Sequence, residues 1–478
     1  MYSIRHAIPG VLLGLSVSSC SVGPNYKMPS MTLGDFHNAS AVDERKAVKP
    51  APPLESWWTG FEDPVLTSVV ERALAENLDL VAALARVEQA RAAARRAGAE
   101  LLPTPSATGQ VTPIRQSLES PIGAIGTHLP GFERNVTVYD VGIGATWEVD
   151  LFGGLRRGAE AAGAEAESAE AAKLGTRITV AADAADAYFL IRREQTRLAV
   201  AREQITTDEQ LLDLIRFRLD RGIATDREVA QAEALLSQAR GTIPPLVSDL
   251  EVQLNRLDVL MGAQPGTYAK ELARDAAIPA VPRVSGGDRP VEVLRRRPDV
   301  IAAERRLASS NARIGAAIGE YYPKVSISGL LGFESMDADR LFRSATFQPQ
   351  GLAGLRWRLF DFGKIDAEVA EARGANAEDL ARFRQSILRA AEDVENAFAA
   401  LVQSEAHAEE LRRQVAALKR ARDSAKDAYE GGLISLTDVL DADRQLLVAE
   451  DDLARARADS ARAAVRSFRA LGGGWSST

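Results

Sequence analysis

Cysteine, histidine and aromatic residues are scarce in this chain, and each scarcity excludes a class of function. Of its 478 residues, one is cysteine and four are histidine, and aromatic residues make up 6%. A lone cysteine excludes a disulfide within the chain. The histidines lie too far apart for a metal-binding pattern such as HExxH, and no catalytic triad or phosphate-binding loop has the required spacing. We therefore predict no metal, no cofactor and no enzymatic activity.

Strong positive charge and long apolar runs are also missing. The net charge of −8 provides no basic face of the kind that binds nucleic acid. Beyond the N-terminal region, no run of 18 or more uncharged apolar residues occurs, so no transmembrane helix is expected in the mature chain. An exported protein of this kind can still cross a membrane as a β-barrel, whose strands give only a weak alternating signal.

The lone cysteine, Cys20, follows a short apolar stretch in the N-terminal region. Residues 1–19 are typical of a signal peptide, because residues 7–17 are apolar but too few to span a bilayer. The sequence Val17-Ser18-Ser19-Cys20 resembles a bacterial lipobox, in which the cysteine is acylated and becomes the mature N-terminus. We therefore expect Cys20 to be acylated, with palmitate among its acyl groups. The alternative is an incidental cysteine after an ordinary signal peptide.

The sequence contains an internal duplication. Asp79 and Pro103 recur 220 residues later as Asp299 and Pro323. The offset then becomes 210, for a longer series of pairs: Trp147 and Trp357, Phe152 and Phe362, Gly153 and Gly363, Gly222 and Gly432, Val229 and Val439, Leu236 and Leu446, Gly262 and Gly472. Solenoid repeats are about 20–50 residues long, so a repeat of this size predicts two similar large halves.

In each half, the sequence pattern predicts the same order of elements: a helix, a pair of strands, a long helix, a turn and a second long helix. Around Val141 to Val149, apolar residues alternate with polar residues or glycine, which indicates a strand with one apolar face. Residues 325–333 and 353–359 repeat this alternation. The stretch from Pro103 to Pro130 is rich in turn-forming residues.

The helices that follow the strands are predicted to be long coiled coils. From Phe383 to Tyr429 an unbroken 4-3 spacing marks a stripe of positions that are apolar except for Ser404 and Arg422. Residues 180–219 keep the same register 210 positions earlier. Pro244-Pro245 interrupts the next helix of the first half but has no counterpart in the second. We therefore predict a kink or break in the first half alone.

The domain boundaries follow from these patterns. Glycine in each turn between long helices, Gly222 and Gly432, can stop a helix in a left-handed conformation. The predicted segments are a signal peptide (1–19), a lipidated N-terminal segment (20–63), a first repeat (64–263), a linker (264–289), a second repeat (290–472) and a tail (473–478).

Four strands are too few to close a barrel, because small closed barrels have about eight. Open sheet edges are not tolerated in hydrocarbon. The strands must therefore pack on the helices of the chain or be completed by other copies. Three copies would supply twelve strands and twelve long helices around a water-filled passage.

Several motifs resemble the outer membrane factor lipoproteins, the TolC-like channels of the OprM/NodT branch. They are Cys20-Ser-Val-Gly-Pro-Asn-Tyr26, Trp57-Trp58, Phe61-Glu-Asp-Pro64, Asn77-Leu-Asp79, Arg296-Arg-Pro-Asp-Val300, Tyr322-Pro323, Tyr429-Glu-Gly-Gly432 and Thr437-Asp-Val-Leu-Asp-Ala442. The resemblance covers nearly the whole mature chain. Pro244-Pro245 departs from it, and so does Arg227-Glu228, where relatives often have Thr-Asp.

The resemblance implies a mostly α, α+β fold: a periplasmic tube of antiparallel coiled-coil helices with four strands per chain in a trimeric, twelve-stranded outer membrane β-barrel. It implies a lipid-anchored homotrimeric exit duct for efflux, partnered by a periplasmic adaptor and an inner-membrane pump, commonly of the resistance-nodulation-division type. Export of a polypeptide in type I secretion and a structural coiled-coil lipoprotein without a pore remain alternatives.

The resemblance also assigns roles near the helix turns. Gly222 and Gly432, with Ile223 and Leu433 beside them, are expected to dock the adaptor. Acidic residues beyond these turns are expected to form a gate, since three copies would gather Asp438, Asp441 and Glu228 into a ring. Arg227 and Tyr429 would tie the gate shut. The alternatives are helix-stopping glycines and acids that favour a helix N-terminus.

Overall fold

The computed structural model describes residues 21–30, 33–47, 49–274, 276–286 and 290–476, so Cys20 and the predicted signal peptide lie outside the described residues. The described helices are α1 (Ala39–Asp43), α2 (Pro64–Glu76), α3 (Leu78–Ala99), α4 (Pro121–Gly126), α5 (Gly154–Asp220), α6 (Asp226–Gly241), α7 (Ile243–Leu260), α8 (Ala269–Leu272), α9 (Pro290–Arg296), α10 (Pro298–Gly319), α11 (Lys364–Glu430) and α12 (Leu436–Ala470). The strands are β1 (Thr104–Arg115), β2 (Asn135–Val149), β3 (Lys324–Ser335) and β4 (Phe347–Arg356).

The two halves of the chain have matching element boundaries. Helices α3 and α10 begin and end 220 residues apart, and so do strands β1 and β3. The offset is 210 for α5 and α11, each of which has 67 residues. The prediction of two similar halves with long helices is confirmed. The heptad spacing explains the length, because it keeps an apolar stripe on one side of each helix.

The halves do not fold as separate compact bodies. Among the described residues, one unit comprises 21–28, 90–166 and 306–380, and the other comprises those within 29–89, 167–305 and 381–476. Each unit thus contains segments of both repeats. The reason is that α5 and α11 begin in the first unit and end in the second, while α3 and α10 cross in the opposite direction, so the boundary between the units crosses these helices rather than the linker.

The first unit holds a four-stranded antiparallel sheet in the order β1-β2-β3-β4. Ile143 of β2 lies opposite Ala107 of β1 and Leu331 of β3. Strand β1 lies within the stretch from Pro103 to Pro130 that the sequence predicts to be rich in turns. Its prolines, Pro105 and Pro113, suggest turns, but proline is also compatible with a strand at the edge of a sheet.

The second unit has an apolar core built around aromatic residues and alanine. Trp57 stacks on Phe468 with ring centroids 5.6 Å apart, and Phe61 contacts Phe189 at 5.0 Å. Trp57 and Phe61 belong to a 3-10 helix, Leu54–Phe61, whose aromatic side chains are buried. The Trp57-Trp58 motif therefore fills the core between the helices. The alanines of α5 and α12 are small enough for close helix packing.

The break predicted at Pro244-Pro245 is confirmed. Helix α6 ends at Gly241 and α7 begins at Ile243, with the prolines in its first turn. The equivalent helix of the second half, α12, runs without interruption from Leu436 to Ala470. Proline lacks the N–H that would continue the hydrogen bonding of α6, but it fits the first turn of a new helix.

Candidate functional site

The sheet has one apolar face and one largely polar face. The register pairs odd-numbered residues with odd-numbered residues across all four strands. The odd-numbered face carries Val111, Val141, Ile143, Ile327, Leu331 and Leu355, all of them exposed. The opposite face includes Thr108, Gln110, Asp140, Ser326, Ser328, Gln348 and Gln350. Such a sheet suits a position between an apolar medium and water.

Both outer strands of this sheet are open at their edges. Strands β1 and β4 each pair with one neighbour, and nearly every residue of both strands is exposed. An edge strand presents a row of unpaired backbone N–H and C=O groups that can pair with another strand. The sheet is therefore suited to extension on both sides.

The two strand hairpins are fixed to the helices before them in the same way. The indole Nε1 of Trp147 donates to the carbonyl oxygen of Leu101 at 2.9 Å. The equivalent Trp357 donates to the carbonyl oxygen of Tyr321, also at 2.9 Å. The repeated tryptophan thus positions the end of the returning strand beside the turn that precedes the hairpin.

The turns that join the long helices lie in the second unit and stop each helix at a glycine. Gly222 has φ +70° and Gly432 has φ +73°. After each glycine, the next residue donates its N–H to the carbonyl of an earlier turn: Ile223 to Arg218 at 2.9 Å and Leu433 to Ala428 at 2.8 Å. This arrangement satisfies the final carbonyls of the helix, as expected of a left-handed helix stop.

The apolar residues beside these glycines point into solvent. Leu433 is 82% exposed and Ile223 is 65% exposed. The helix ends that these turns join share a buried cluster formed by Leu211, Leu212, Ile215, Ala224, Ala232, Leu236, Tyr429, Leu436 and Val439. Two exposed apolar side chains on turns next to a packed cluster can be presented to a binding partner.

Two of the three acids predicted for the gate cap helices. The Glu228 carboxylate accepts from the Thr225 N–H at 2.7 Å, and the Asp438 carboxylate accepts from the Ser435 N–H at 3.0 Å. Each acid and its partner form a capping box, in which side chain and backbone bond reciprocally. The cap uses Oε2 of Glu228 and Oδ2 of Asp438.

Asp441 differs from those two acids. Its carboxylate accepts from Arg444 Nη2 and Gln445 Nε2, both at 2.6 Å, on the same helix. The side chain is nearly half exposed. Asp441 therefore keeps access to solvent one turn beyond Asp438.

Tyr429 is buried, and the arginine that holds it is Arg218. The Arg218 guanidinium lies 4.5 Å above the Tyr429 ring, and its Nη1 donates to the Tyr429 carbonyl oxygen at 3.1 Å. Burial raises the pKa of the Tyr429 hydroxyl, while the charge of Arg218 opposes that rise. Arg227 is exposed at the start of α6. The contact between α5 and α11 through Arg218 was not anticipated from the sequence.

Two buried acids near the turns were not predicted from the sequence. Asp208 on α5 is 1% exposed and Asp443 on α12 is 2% exposed. Burial raises the pKa of Asp208 to about 6, the Gln204 amide lowers it, and the nearby Asp443 raises it. Burial likewise raises the pKa of Asp443, opposed by Arg422. The signal was present, since Asp208 and Arg422 occupy seam positions of the heptads.

Two absences hold for the described part of the chain. No group of three or more His, Cys, Asp or Glu side chains there could hold a metal ion. Within the same residues, no helix combines the length and the apolar character needed to cross a membrane.

The sequence profile of the outer membrane efflux protein family matches residues 69–263 and 290–473. The pyoverdine export outer membrane protein OpmQ of Pseudomonas aeruginosa is 31% identical over 429 residues, which is 89% of each chain. Nodulation protein T of Rhizobium leguminosarum bv. trifolii is 28% identical over 98% of this chain and 97% of its own length.

A solved structure of the outer-membrane channel OprN is similar as well. It superposes with a TM-score of 0.86 at 31% identity, covering 95% of this chain and 100% of that one. The profile covers both repeats, and the relatives extend over nearly the full length of the sequence. The chain therefore belongs to the outer membrane efflux protein family.

Proposed function

We propose that this protein is the outer membrane exit duct of a tripartite efflux system and passes pump-delivered small molecules out of the cell. The observation that carries the proposal is the amphipathic sheet, whose apolar face is exposed and whose two outer strands each have one unpaired edge. An exposed apolar face suits lipid, and the opposite polar face suits a water-filled passage.

The duct is a homotrimer in this proposal. Closed barrels need about eight strands or more, and one chain provides four. Three copies place twelve strands in the outer membrane. The long helices α5 and α11 and their partners then form the periplasmic wall of the duct.

The duct works with a periplasmic adaptor and an inner-membrane pump, of the resistance-nodulation-division type. The exposed Leu433 and Ile223 at the helix turns are the contacts proposed for the adaptor. Asp438, Asp441 and Glu228 form the proposed gate ring, with Arg227 and Tyr429 as its ties. OpmQ is described as a pyoverdine exporter, which supports small molecules as cargo here.

The mature chain is anchored by acylation at Cys20. The residues after this cysteine are firmly held: Arg157 donates to the Val22 carbonyl at 3.1 Å and to Asn25 Oδ1 at 2.7 Å. Cys20→Ala should remove acyl labelling and change the cleavage site, while the helices and strands still form. Acyl label persisting on the Ala variant would overturn this assignment.

Planar-bilayer recording tests the central proposal. Purified protein should insert and give discrete ion-conducting steps, and it should restore small-molecule efflux to cells that lack their own duct. A structural lipoprotein without a pore would give no conductance. A polypeptide exporter would conduct but would restore secretion of a protein substrate instead of small-molecule efflux.

A further inference from the structure

The polar face of the sheet carries a group of cations at the helix end of the second hairpin. Lys324 at the start of β3 lies opposite Arg356 at the end of β4. Directly opposed residues of antiparallel strands have Cβ atoms about 4.5–5.5 Å apart, so these two side chains start side by side. Together with Glu320, Tyr322 and Arg358 they line a cavity of about 270 Å³. The lining therefore has three cations and one carboxylate.

The single carboxylate of this cavity holds two of the three cations. Glu320, directly after α10, accepts from Lys324 through Oε1 and from Arg358 through Oε2. Arg358 also lies 3.4 Å from Oε2 of Glu368 on α11. Positive charge is left over, because Arg356 is exposed and its guanidinium has no hydrogen-bond or ion-pair partner among the described residues.

The first repeat shows that these cations are not needed to join the strands to the helices. Both hairpins have the same tryptophan hydrogen bond and matching element boundaries. At offsets of 220 and 210 residues, the counterparts of the three cations are neutral or acidic: Thr104, Thr146 and Glu148. The positive cavity is therefore specific to the second hairpin, and its charge has a reason other than folding.

The acidic side chains at this level of the sheet lie toward the first hairpin. Glu148 and Asp150 line an adjoining cavity, which Glu320 and Lys324 share with the cavity of the second hairpin. Arg356 lines only the second of these two cavities. An anion is therefore favoured at the Arg356 end of the group and disfavoured at the end next to β2.

We propose that Lys324, Arg356 and Arg358 form a binding site for small anions that carry a carboxylate or phosphate group. The planar guanidinium of arginine presents paired donors that match the oxygens of both groups, and the lysine ammonium adds a point charge. The site lies on the polar face, opposite the apolar face that suits lipid. Its ligand is therefore a solute in the water-filled passage rather than a lipid headgroup. The inference rests on the proposed duct and adds a chemical class of cargo.

The arrangement suits transient binding. Three copies of the chain would place three such sites at one level of the passage, and a passage lined by cations raises the local concentration of anions. Because Arg356 is exposed, solvent screens its charge and an ion pair with it is weak. The sites should therefore favour the passage of anionic cargo without retaining it.

Block of single-channel current by anions tests the site. In planar bilayers in KCl, citrate and inorganic phosphate are added separately as the carboxylate and phosphate probes. Each probe should reduce the conductance of the wild type. Arg356→Gln should raise the half-blocking concentration by about three- to tenfold, as expected for the loss of one charge-assisted hydrogen bond at an exposed site. Arg356→Lys, which keeps the charge, should lie between the two.

The matched control is Arg340→Gln. It removes the same charge from the loop at the other end of the same hairpin, where Arg340 lies 3.5 Å from Asp337. Its half-blocking concentrations should equal those of the wild type. An effect as large as that of Arg356→Gln would overturn the site, because it would report the overall charge of the duct alone.

Two further results would overturn the site: wild-type conductance that neither probe reduces, and equal half-blocking concentrations for the wild type and Arg356→Gln. Block by one probe alone supports the site and identifies the group that it binds. If the unmodified protein does not conduct in KCl, the proposed function fails separately. Calorimetric titration of citrate and phosphate into the detergent-solubilised protein then tests the site, and equal binding by the wild type and Arg356→Gln overturns it.

Discussion

Asn77 and Arg297 occupy equivalent positions in the two repeats and donate to equivalent carbonyl oxygens. Asn77 Nδ2 donates to Leu260 O at 2.9 Å, and Arg297 Nη1 donates to Ala470 O at 3.1 Å. Each residue thereby attaches the start of α3 or α10 to the end of the last helix of its own repeat. Two different side chains thus make the same link.

Arg297→Ala should destabilise the protein more than Asn77→Ala. Arg297 also bonds to the Ala390 carbonyl and pairs with Asp299 and Asp393 at 2.8 Å. Either variant removes the donor to a helix-end carbonyl, which costs about 1–3 kcal/mol, but Arg297→Ala also removes the partner of two carboxylates. Thermal unfolding followed by circular dichroism measures the effect, with the exposed Arg295→Ala as control. An Arg297→Ala midpoint equal to that of the control would refute the link.

Stability should depend on pH through Asp208. Its pKa rises from 3.8 to about 6 in the folded chain, so the folded state holds the proton more tightly than the unfolded state. The contribution of Asp208 to the free energy of unfolding is therefore most favourable below pH 3.8, and it is lost as the pH rises through 6. Asp208→Asn should remove this dependence and stabilise the protein at pH 7.5 by about 1–3 kcal/mol.

Unfolding midpoints between pH 4 and pH 8 check this prediction. Charged side chains also face Asp443, the buried neighbour of Asp208. Arg422 and Lys426 lower the pKa of Asp443, and Asp423 raises it. Asp213→Asn, an exposed change on the same helix, is the control and should keep the wild-type profile. A profile for Asp208→Asn that matches the wild type would rule out Asp208 as the source.

Gly432→Val should abolish efflux while trimers still reach the outer membrane. The positive φ of Gly432 is strained for any residue with a Cβ, by roughly 1–2 kcal/mol. The turn that presents Leu433 would therefore shift. Gly431→Ala is the matched control, because an added Cβ there meets only ordinary contacts at 3.5 Å or more. Normal efflux from the Val variant would count against a docking role.

Replacing Asp438 and Asp441 by asparagine separates a gate from a helix cap. Asparagine keeps a side-chain oxygen that can accept from Ser435, so α12 should remain capped, but the ring of carboxylates loses its charge. We expect larger conductance and weaker cation selectivity in planar bilayers. If conductance, selectivity and divalent block all stay unchanged, the two acids serve the helix start alone. Asp438→Ala then shows the cost of losing the cap.

The long helices were predictable from sequence because a heptad pattern is local and repeats many times between residues 383 and 429. Strand β1 was not, since Pro105 and Pro113 lower its strand character and its partner β2 begins beyond a long loop. The contact of Arg218 with Tyr429 joins residues 211 positions apart. Hydrophobic periodicity does not predict such a pair, because it indicates which face of a helix is buried but not which helix packs against that face.

The break between α6 and α7 has a mechanical consequence. Helix α12 is continuous, so a displacement at its Ser435 end is transmitted along its whole length. Between α6 and α7 we expect bending to concentrate near Thr242, because Pro244 and Pro245 lack the N–H groups that would bond to the carbonyls of Arg240 and Gly241. The first repeat should therefore bend more easily here than the second, and in a trimer more and less compliant helix pairs would alternate around the opening.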